Sequence, residues 1–284
     1  MSNLLNGKNL SQKIFAELAT KIQAYRVKGH RAPQLAVLLI GSNEASHIYV
    51  SHKEKACKQI GIISVAHRLP ESISQEDVCD LVMKLNSDPQ VDGILVQLPL
   101  PAHLNPLHIL DLIASDKDVD GLTAMSQGLL ALNRPGLVPC TPLGVMRLLS
   151  SINLELEGKI AAVIGRSTLV GGPMARLLMQ KNATVIQVHS KTPQPWLLTS
   201  QADVVVAAAG VAKLVTPKWI KEGAVVVDVG IHRQADGLCG DVDFARVMPK
   251  TSFITPVPGG VGPMTIASLL LNCMTTYEAR LGLS

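Results

Sequence analysis

Apolar residues recur at helical spacing across residues 10–25, where Ile14, Leu18 and Ile22 share one face. The N-terminal run MSNLLNGKNLSQKIF carries no apolar stretch and no arginine-rich presequence, and it reads as the start of that helix. Residues 35–40 are a short apolar run ended by Gly41, which predicts a buried strand. Helical spacing returns over residues 46–60, with Tyr49, Lys53 and Cys57 a turn apart on one face and Gly61 as the stop. Residues 62–69 and 94–98, with a helical stretch between them, continue the β–α alternation. Right-handed crossovers then predict one parallel sheet.

The pattern changes after Asp116. The stretch DKDVDGLTAMSQG is polar and turn-rich and reads as a hinge; Thr141 and Pro142 then open a helix as its N-cap and first residue. A second α/β series follows, with strands over 160–164, 184–188, 204–208 and 224–229 and a helix from Gly172. A helical run over 264–281 closes the chain. The expectation is α/β, two lobes, each a parallel sheet with flanking helices, the C-terminal lobe Rossmann-like, with an active-site cleft between them. The lobes divide as residues 1–120 and 121–284, the closing helix of about 264–284 able to pack back on the first.

Composition narrows this picture. The chain is 47% hydrophobic but only 3% aromatic, so its cores are built from Val, Leu, Ile and Ala, as in parallel sheets covered by helices. The net charge of +4 implies no nucleic-acid or membrane surface, and no apolar run is long enough for a membrane span. Five scattered cysteines without CxxC spacing argue against disulfides and a zinc site and fit a reducing, cytoplasmic setting.

The segment VIGRSTLVGGPMARLL has the form of a strand, a glycine turn and a helix start. Gly165 allows a sharp turn, and Gly171 and Gly172 would present backbone N–H groups to an anion. The spacing is GxSxxxGG and not the dinucleotide fingerprint GxGxxG, so an ordinary tight βα turn also fits. The next strand ends in His189, Ser190 and Lys191, with no carboxylate to repel a 2′-phosphate. Arg166, Ser190 and Lys191 suit such a phosphate, which favours NADP over NAD.

In the first lobe Tyr49 and Lys53 stand one helical turn apart, an aromatic ring beside an ammonium group. Gln97 interrupts an apolar strand near its carboxyl end and needs a polar partner, for which the Lys53 amine is a candidate. The run DKDVDG offers Asp116, Asp118 and Asp120. One of them could accept paired hydrogen bonds from an amino-pyrimidine edge, the others serving as turn caps; the EF-hand pattern does not fit. The run ITPVPGGVGPMT is a stiff loop suited to a ligand or to joining two lobes.

Taken in order, these motifs resemble the bifunctional methylenetetrahydrofolate dehydrogenase/methenyltetrahydrofolate cyclohydrolase family. They are YxxxK at 49–53, VQLPLP at 96–101, KDVDG at 117–121, PCTPLG at 139–144, GRSxxVG at 165–171, HSKT at 189–192, VDVGI at 227–231, GDVDF at 240–244 and PVPGGVGPMT at 256–265. The resemblance implies NADP-dependent oxidation of a folate-bound one-carbon unit, then hydrolysis, within one-carbon metabolism and purine biosynthesis. It implies Lys53 as the catalytic lysine, Tyr49 as a folate stack, Gln97 tuning the lysine and Asp120 holding the pterin edge. Val96, Leu98, Pro258, Gly259 and Gly260 would complete the folate site. Gly165, Arg166, Ser167, Gly171, Ser190 and Ile231 would contact NADP, no metal is required, and a homodimer is implied.

The chain departs from the family pattern at Ser126 and Leu129, where Asn and Arg are common, and at Val211 and Ala212, where a basic residue and proline are usual. Two other readings of the residues are a two-lobed NADP-dependent dehydrogenase of shikimate type and a nucleotide-binding module without turnover.

Overall fold

The computed structural model describes residues 3–235 and 237–283; Met1, Ser2 and Ser284, at the ends of the first and last predicted helices, lie outside them. Two compact units are present, one formed by Gln12–Cys140 with Ile266–Ser284, the other by Met1–Ser11 with Thr141–Thr265. The division by contacts is thus interleaved, with the chain crossing after Ser11, Cys140 and Thr265. Residues 121–140 stay with the unit of Lys53 because Asn272, on the closing helix, donates to the Val119 and Val138 carbonyls. The start of the chain joins the other unit because Asn3–Leu4 is an edge strand paired in parallel with Thr251–Ile254.

In the unit of Lys53, strands Ile63–Leu69, Gln34–Ile40 and Gly93–Val96 pair in that order, all parallel. The central strand is buried along nearly its whole length. Helix Gln75–Ser87 sets Val78, Val82 and Leu85 against Ala36, Leu38, Ile94 and Val96. Helix Glu44–Ile60 is capped at its start by Asn43, whose side chain accepts the Ser46 N–H. It ends at Gly61, left-handed at φ 90°.

In the other unit six strands run in parallel in the order Asn3–Leu4, Thr251–Ile254, Ala224–Asp228, Val204–Ala207, Ile160–Ile164, Thr184–Val188. The chain leaves Ile160–Ile164 to one side and returns on the other, so the order reverses between Ile160–Ile164 and Val204–Ala207. In open α/β sheets the crevice at the carboxyl ends of the strands beside such a reversal is where ligands bind.

Several elements differ from the sequence expectation. The turn-rich stretch after Asp116 contains the helix Ala124–Ala131, capped by Thr123. Strands Asn3–Leu4 and Thr251–Ile254 and the hairpin His232–Gln234/Gly237–Cys239 were not foreseen. The helix expected to be capped by Thr141 already begins at Cys140, and the Thr141 hydroxyl pairs with that of Thr265 at 3.0 Å.

Candidate active site

Tyr49 and Lys53 lie on one face of helix Glu44–Ile60, and both are partly buried. Lys53 Nζ donates to Gln97 Oε1 at 2.9 Å. The other end of that amide is fixed as well, because Gln97 Nε2 donates to the Leu98 carbonyl at 2.6 Å. Gln97 follows the four buried residues of Gly93–Val96, and its N–H donates to the Leu38 carbonyl. A polar side chain is thereby carried to the carboxyl end of an apolar strand. The Val96 side chain points into the core and is 2% exposed, so only its main chain is available to a ligand. Burial raises the Tyr49 phenol above its ordinary pKa.

The charged residues of the DKDVD run at 116–120 differ in their surroundings. The Lys117 ammonium is buried and donates to the Leu85 and Asp88 carbonyls, and burial lowers its pKa. Asp118 accepts the N–H groups of Gly121, Leu122 and Thr123 and the hydroxyl of Ser126 at 2.7 Å. Ser126, one of the departures from the family pattern, therefore completes the cap of its own helix. Asp116 is exposed and pairs with Arg280. Asp120 remains, with its side chain free of these structural tasks. Asp118 bridges Ile94 in parallel, and this pairing carries Asp120 toward the end of the strand where Gln97 sits. Burial raises the Asp120 carboxyl above its ordinary pKa, opposed by the Lys53 charge and a hydrogen bond from the Cys140 thiol. Cys140, which drew no functional expectation from sequence, is buried, and its sulfur also lies 3.2 Å from the Val119 carbonyl oxygen.

The other unit holds the remaining predicted site residues. Gly165 has φ 125°, and a Cβ there would lie 2.1 Å from the Ala208 carbonyl oxygen. A Cβ at Gly171 would lie 2.4 Å from the Gly165 oxygen, so both glycines are demanded by the turn itself. The Gly171 and Gly172 N–H groups, expected to face an anion, donate instead to the Ser167 hydroxyl and carbonyl. Arg166, Ser167, Ser190, Lys191 and Ile231 are exposed. The Lys191 N–H donates to His189 Nδ1 and the His189 N–H to Thr192 Oγ1, which shapes the turn after Thr184–Val188 without a carboxylate. Pro258 and Gly259 follow a cis peptide bond at Val257–Pro258, and the Gly259 carbonyl accepts the Lys8 N–H. The Gly260 carbonyl is so close to Gly7 that a Cβ on Gly7 would overlap it.

Asp228 ends its strand buried, with Oδ1 accepting the N–H groups of Gly230 and Asp241 and Oδ2 that of Val242. Burial nevertheless raises its pKa to about 6. Among the described residues no group of three or more His, Cys, Asp or Glu could hold a metal ion, and no helix is long and apolar enough to cross a membrane.

The models of the tetrahydrofolate dehydrogenase/cyclohydrolase family match in two parts, the catalytic domain over residues 5–120 and the NAD(P)-binding domain over residues 139–281. The Bifunctional protein FolD of Streptococcus thermophilus is 49% identical over 282 residues, 99% of this chain and 98% of the relative. The crystal structure of the bifunctional FolD enzyme of Campylobacter jejuni matches with a TM-score of 0.96 at 49% identity, covering 99% of this chain and 100% of that one. The Trypanosoma brucei FolD structure, complexed with NADP cofactor and inhibitor, matches with a TM-score of 0.93 at 36% identity, covering 99% and 98%. With both parts matched and near-complete relatives at about half identity, the chain belongs to the tetrahydrofolate dehydrogenase/cyclohydrolase family.

Proposed function

We propose that this protein oxidises 5,10-methylenetetrahydrofolate to 5,10-methenyltetrahydrofolate with NADP and hydrolyses the product to 10-formyltetrahydrofolate. Family membership sets aside the shikimate-type dehydrogenase and the module without turnover. The observation that carries the reading is the 2.9 Å bond between Lys53 and Gln97, in the same unit as the Asp120 carboxyl, whose pKa burial raises and the Lys53 charge lowers.

The residues present fit NADP. The turn at 165–171 is tight, with no room for a Cβ at Gly165 or Gly171, and Arg166 on that turn and Ser190 and Lys191 after Thr184–Val188 are exposed. A guanidinium and an ammonium group favour a 2′-phosphate, and no carboxylate at the end of Thr184–Val188 opposes it. Arg166, Ser190 and Lys191 would hold NADP, which would supply the acceptor for the hydride leaving the folate methylene carbon.

The chain's own groups align and protonate. Tyr49 supplies a flat face for the folate ring, and Asp120 accepts hydrogen bonds from its amino-pyrimidine edge. Pro258, Gly259 and Gly260 line the folate, with Val96 and Leu98 contributing main chain. In hydrolysis, water adds to the methenyl carbon and loses one proton; as the C–N bond opens, the resulting hydroxyl loses its other proton to become the formyl oxygen and the ring nitrogen gains one, so that one proton is released overall. Lys53 handles these protons, and Gln97 keeps its ammonium group in one orientation.

Location in the cytoplasm is inferred from the scattered, unpaired cysteines, and a contribution to purine biosynthesis and a homodimer from the family resemblance; sedimentation of the purified protein tests the last. For the activity, NADPH and methenyltetrahydrofolate absorbance are followed together from methylenetetrahydrofolate and NADP. The expected record is NADPH growth with transient methenyl absorbance. NADPH growth with persistent methenyl absorbance would reject the cyclohydrolase half, and no NADPH would reject the whole.

A further inference from the structure

The motif GDVDF at 240–244 takes no part in the reaction set out above, yet its first aspartate is fully buried and used at both oxygens. Asp241 Oδ2 accepts the N–H groups of Ala209 at 2.6 Å and Gly210 at 2.9 Å, and Oδ1 lies 2.7 Å from His232 Nε2. The main chain on either side grips the same loop. The Gly240 carbonyl accepts the Lys213 N–H, the Asp241 carbonyl accepts the Val215 N–H, and the Asp243 N–H donates to the Val215 carbonyl. Asp228 fixes Asp241 from behind by accepting its N–H at 2.9 Å. The contact is also tight sterically, since a Cβ at Gly230 would lie 2.3 Å from Asp241 Oδ1.

The loop so held follows Val204–Ala207, the strand across the reversal of strand order from Ile160–Ile164. Its Ala208 carbonyl is the atom that a side chain at Gly165 would strike. One wall of the crevice is thus the turn after Ile160–Ile164, and the other is a loop whose consecutive N–H groups are both tied to one carboxylate. Such charge-assisted bonds are stronger than neutral ones and geometrically restrictive.

We propose that Asp241 is a positioning residue for the dinucleotide: it holds residues 208–210 in the conformation that keeps the crevice beside Gly165 open to NADP. The proposal rests on the reading that the 165–171 turn binds NADP. Asp241 touches neither reacting atom; it acts through the backbone of Ala209 and Gly210.

The test compares Asp241→Ala, Asp241→Asn and Arg166→Ala in the full-length protein. It measures the KM for NADP and kcat in the dehydrogenase assay, and the hydrolysis rate of supplied methenyltetrahydrofolate, which needs no dinucleotide. Asp241→Ala is expected to raise the NADP KM about tenfold or more, the effect of losing a hydrogen bond to a charged group. Hydrolysis and the folate KM should stay near the parent values, with Asp241→Asn intermediate because one acceptor oxygen remains. Should Asp241→Ala not fold, Asp241→Asn decides by the same split. An unchanged NADP KM in the Asp241 variants with a raised one in Arg166→Ala overturns the proposal and leaves the NADP turn standing. No change in any of the three overturns both. Parallel loss of both activities with a lowered Tm overturns it in favour of a general structural role.

Discussion

Lys53 Nζ and Gln97 Oε1 are 2.9 Å apart, and Gln97 cannot turn its amide over without giving up its 2.6 Å bond to the Leu98 carbonyl. The ammonium group is therefore oriented by the strand end, not by its own flexible stem. Lys53→Met removes the proton-handling group, and hydrolysis of methenyltetrahydrofolate should fall at least about a hundredfold, the usual scale of acid–base assistance. The NADP KM should not change. Gln97→Ala should lower hydrolysis less, because the lysine remains but is free to wander. Steady-state rates of both variants check this; full hydrolysis in Lys53→Met would remove the lysine from the mechanism.

Asp120 gives a pH prediction with a definite sign. Burial raises its pKa, so it takes up a proton at higher pH than an ordinary aspartate. Only the carboxylate can accept at both oxygens. The folate KM should consequently rise as pH falls through that raised pKa, earlier than for a surface carboxylate. In Asp120→Asn the folate KM should be higher at neutral pH and flat over the same range. KM against pH for the two proteins is the measurement, and parallel curves would count against the assignment.

Gly165 is constrained twice, by its φ of 125° and by the 2.1 Å that would separate a Cβ from the Ala208 oxygen. Gly165→Ala should cost about 1–3 kcal/mol of stability and raise the NADP KM sharply. Denaturant unfolding with NADP titration checks both; a variant with native stability and affinity would show that the turn tolerates more than its geometry allows.

How much of this was legible beforehand follows from the physics of each segment. The strands of both sheets that are apolar runs ended by glycine or polar residues stand out, because burial on both faces leaves no alternation to confuse. Thr251–Ile254 does not, since its four residues are half polar and become a strand only beside Ala224–Asp228. Lys53 and Gln97 could be paired from one argument, that an amide in an apolar strand needs a partner. The three aspartates of DKDVD could not be sorted by spacing. Only the fold shows that Asp118 caps a turn, that Asp116 meets Arg280, and that Asp120 is left over. Asp241 was visible only as part of a motif, because its partners lie about thirty residues earlier in the chain.

Asp228 supplies a stability prediction. Its pKa is raised from 3.8 to about 6 in the folded protein, so between those values the folded state holds more protons than the unfolded one. Stability from this group is thus fully present below about pH 4 and is lost as pH rises through about 6. The shift corresponds to roughly 3 kcal/mol. Asp228→Asn lacks this dependence, so its deficit relative to the parent should be largest near pH 4 and should shrink toward pH 7. Urea unfolding at several pH values measures it, and a constant deficit would contradict the raised pKa.

The interleaving of the two units, with the chain passing between them after Ser11, Cys140 and Thr265, bears on how the protein can be dissected. Severing it after residue 120 would strip Thr251–Ile254 of Asn3–Leu4 and bare a row of backbone groups that invites association with other molecules. The same cut would remove Asn272, donor to the Val119 and Val138 carbonyls, from the N-terminal piece. Neither half is a heritable module in the simple sense, and recombination between relatives at that point should yield insoluble chimaeras more often than exchange of whole genes.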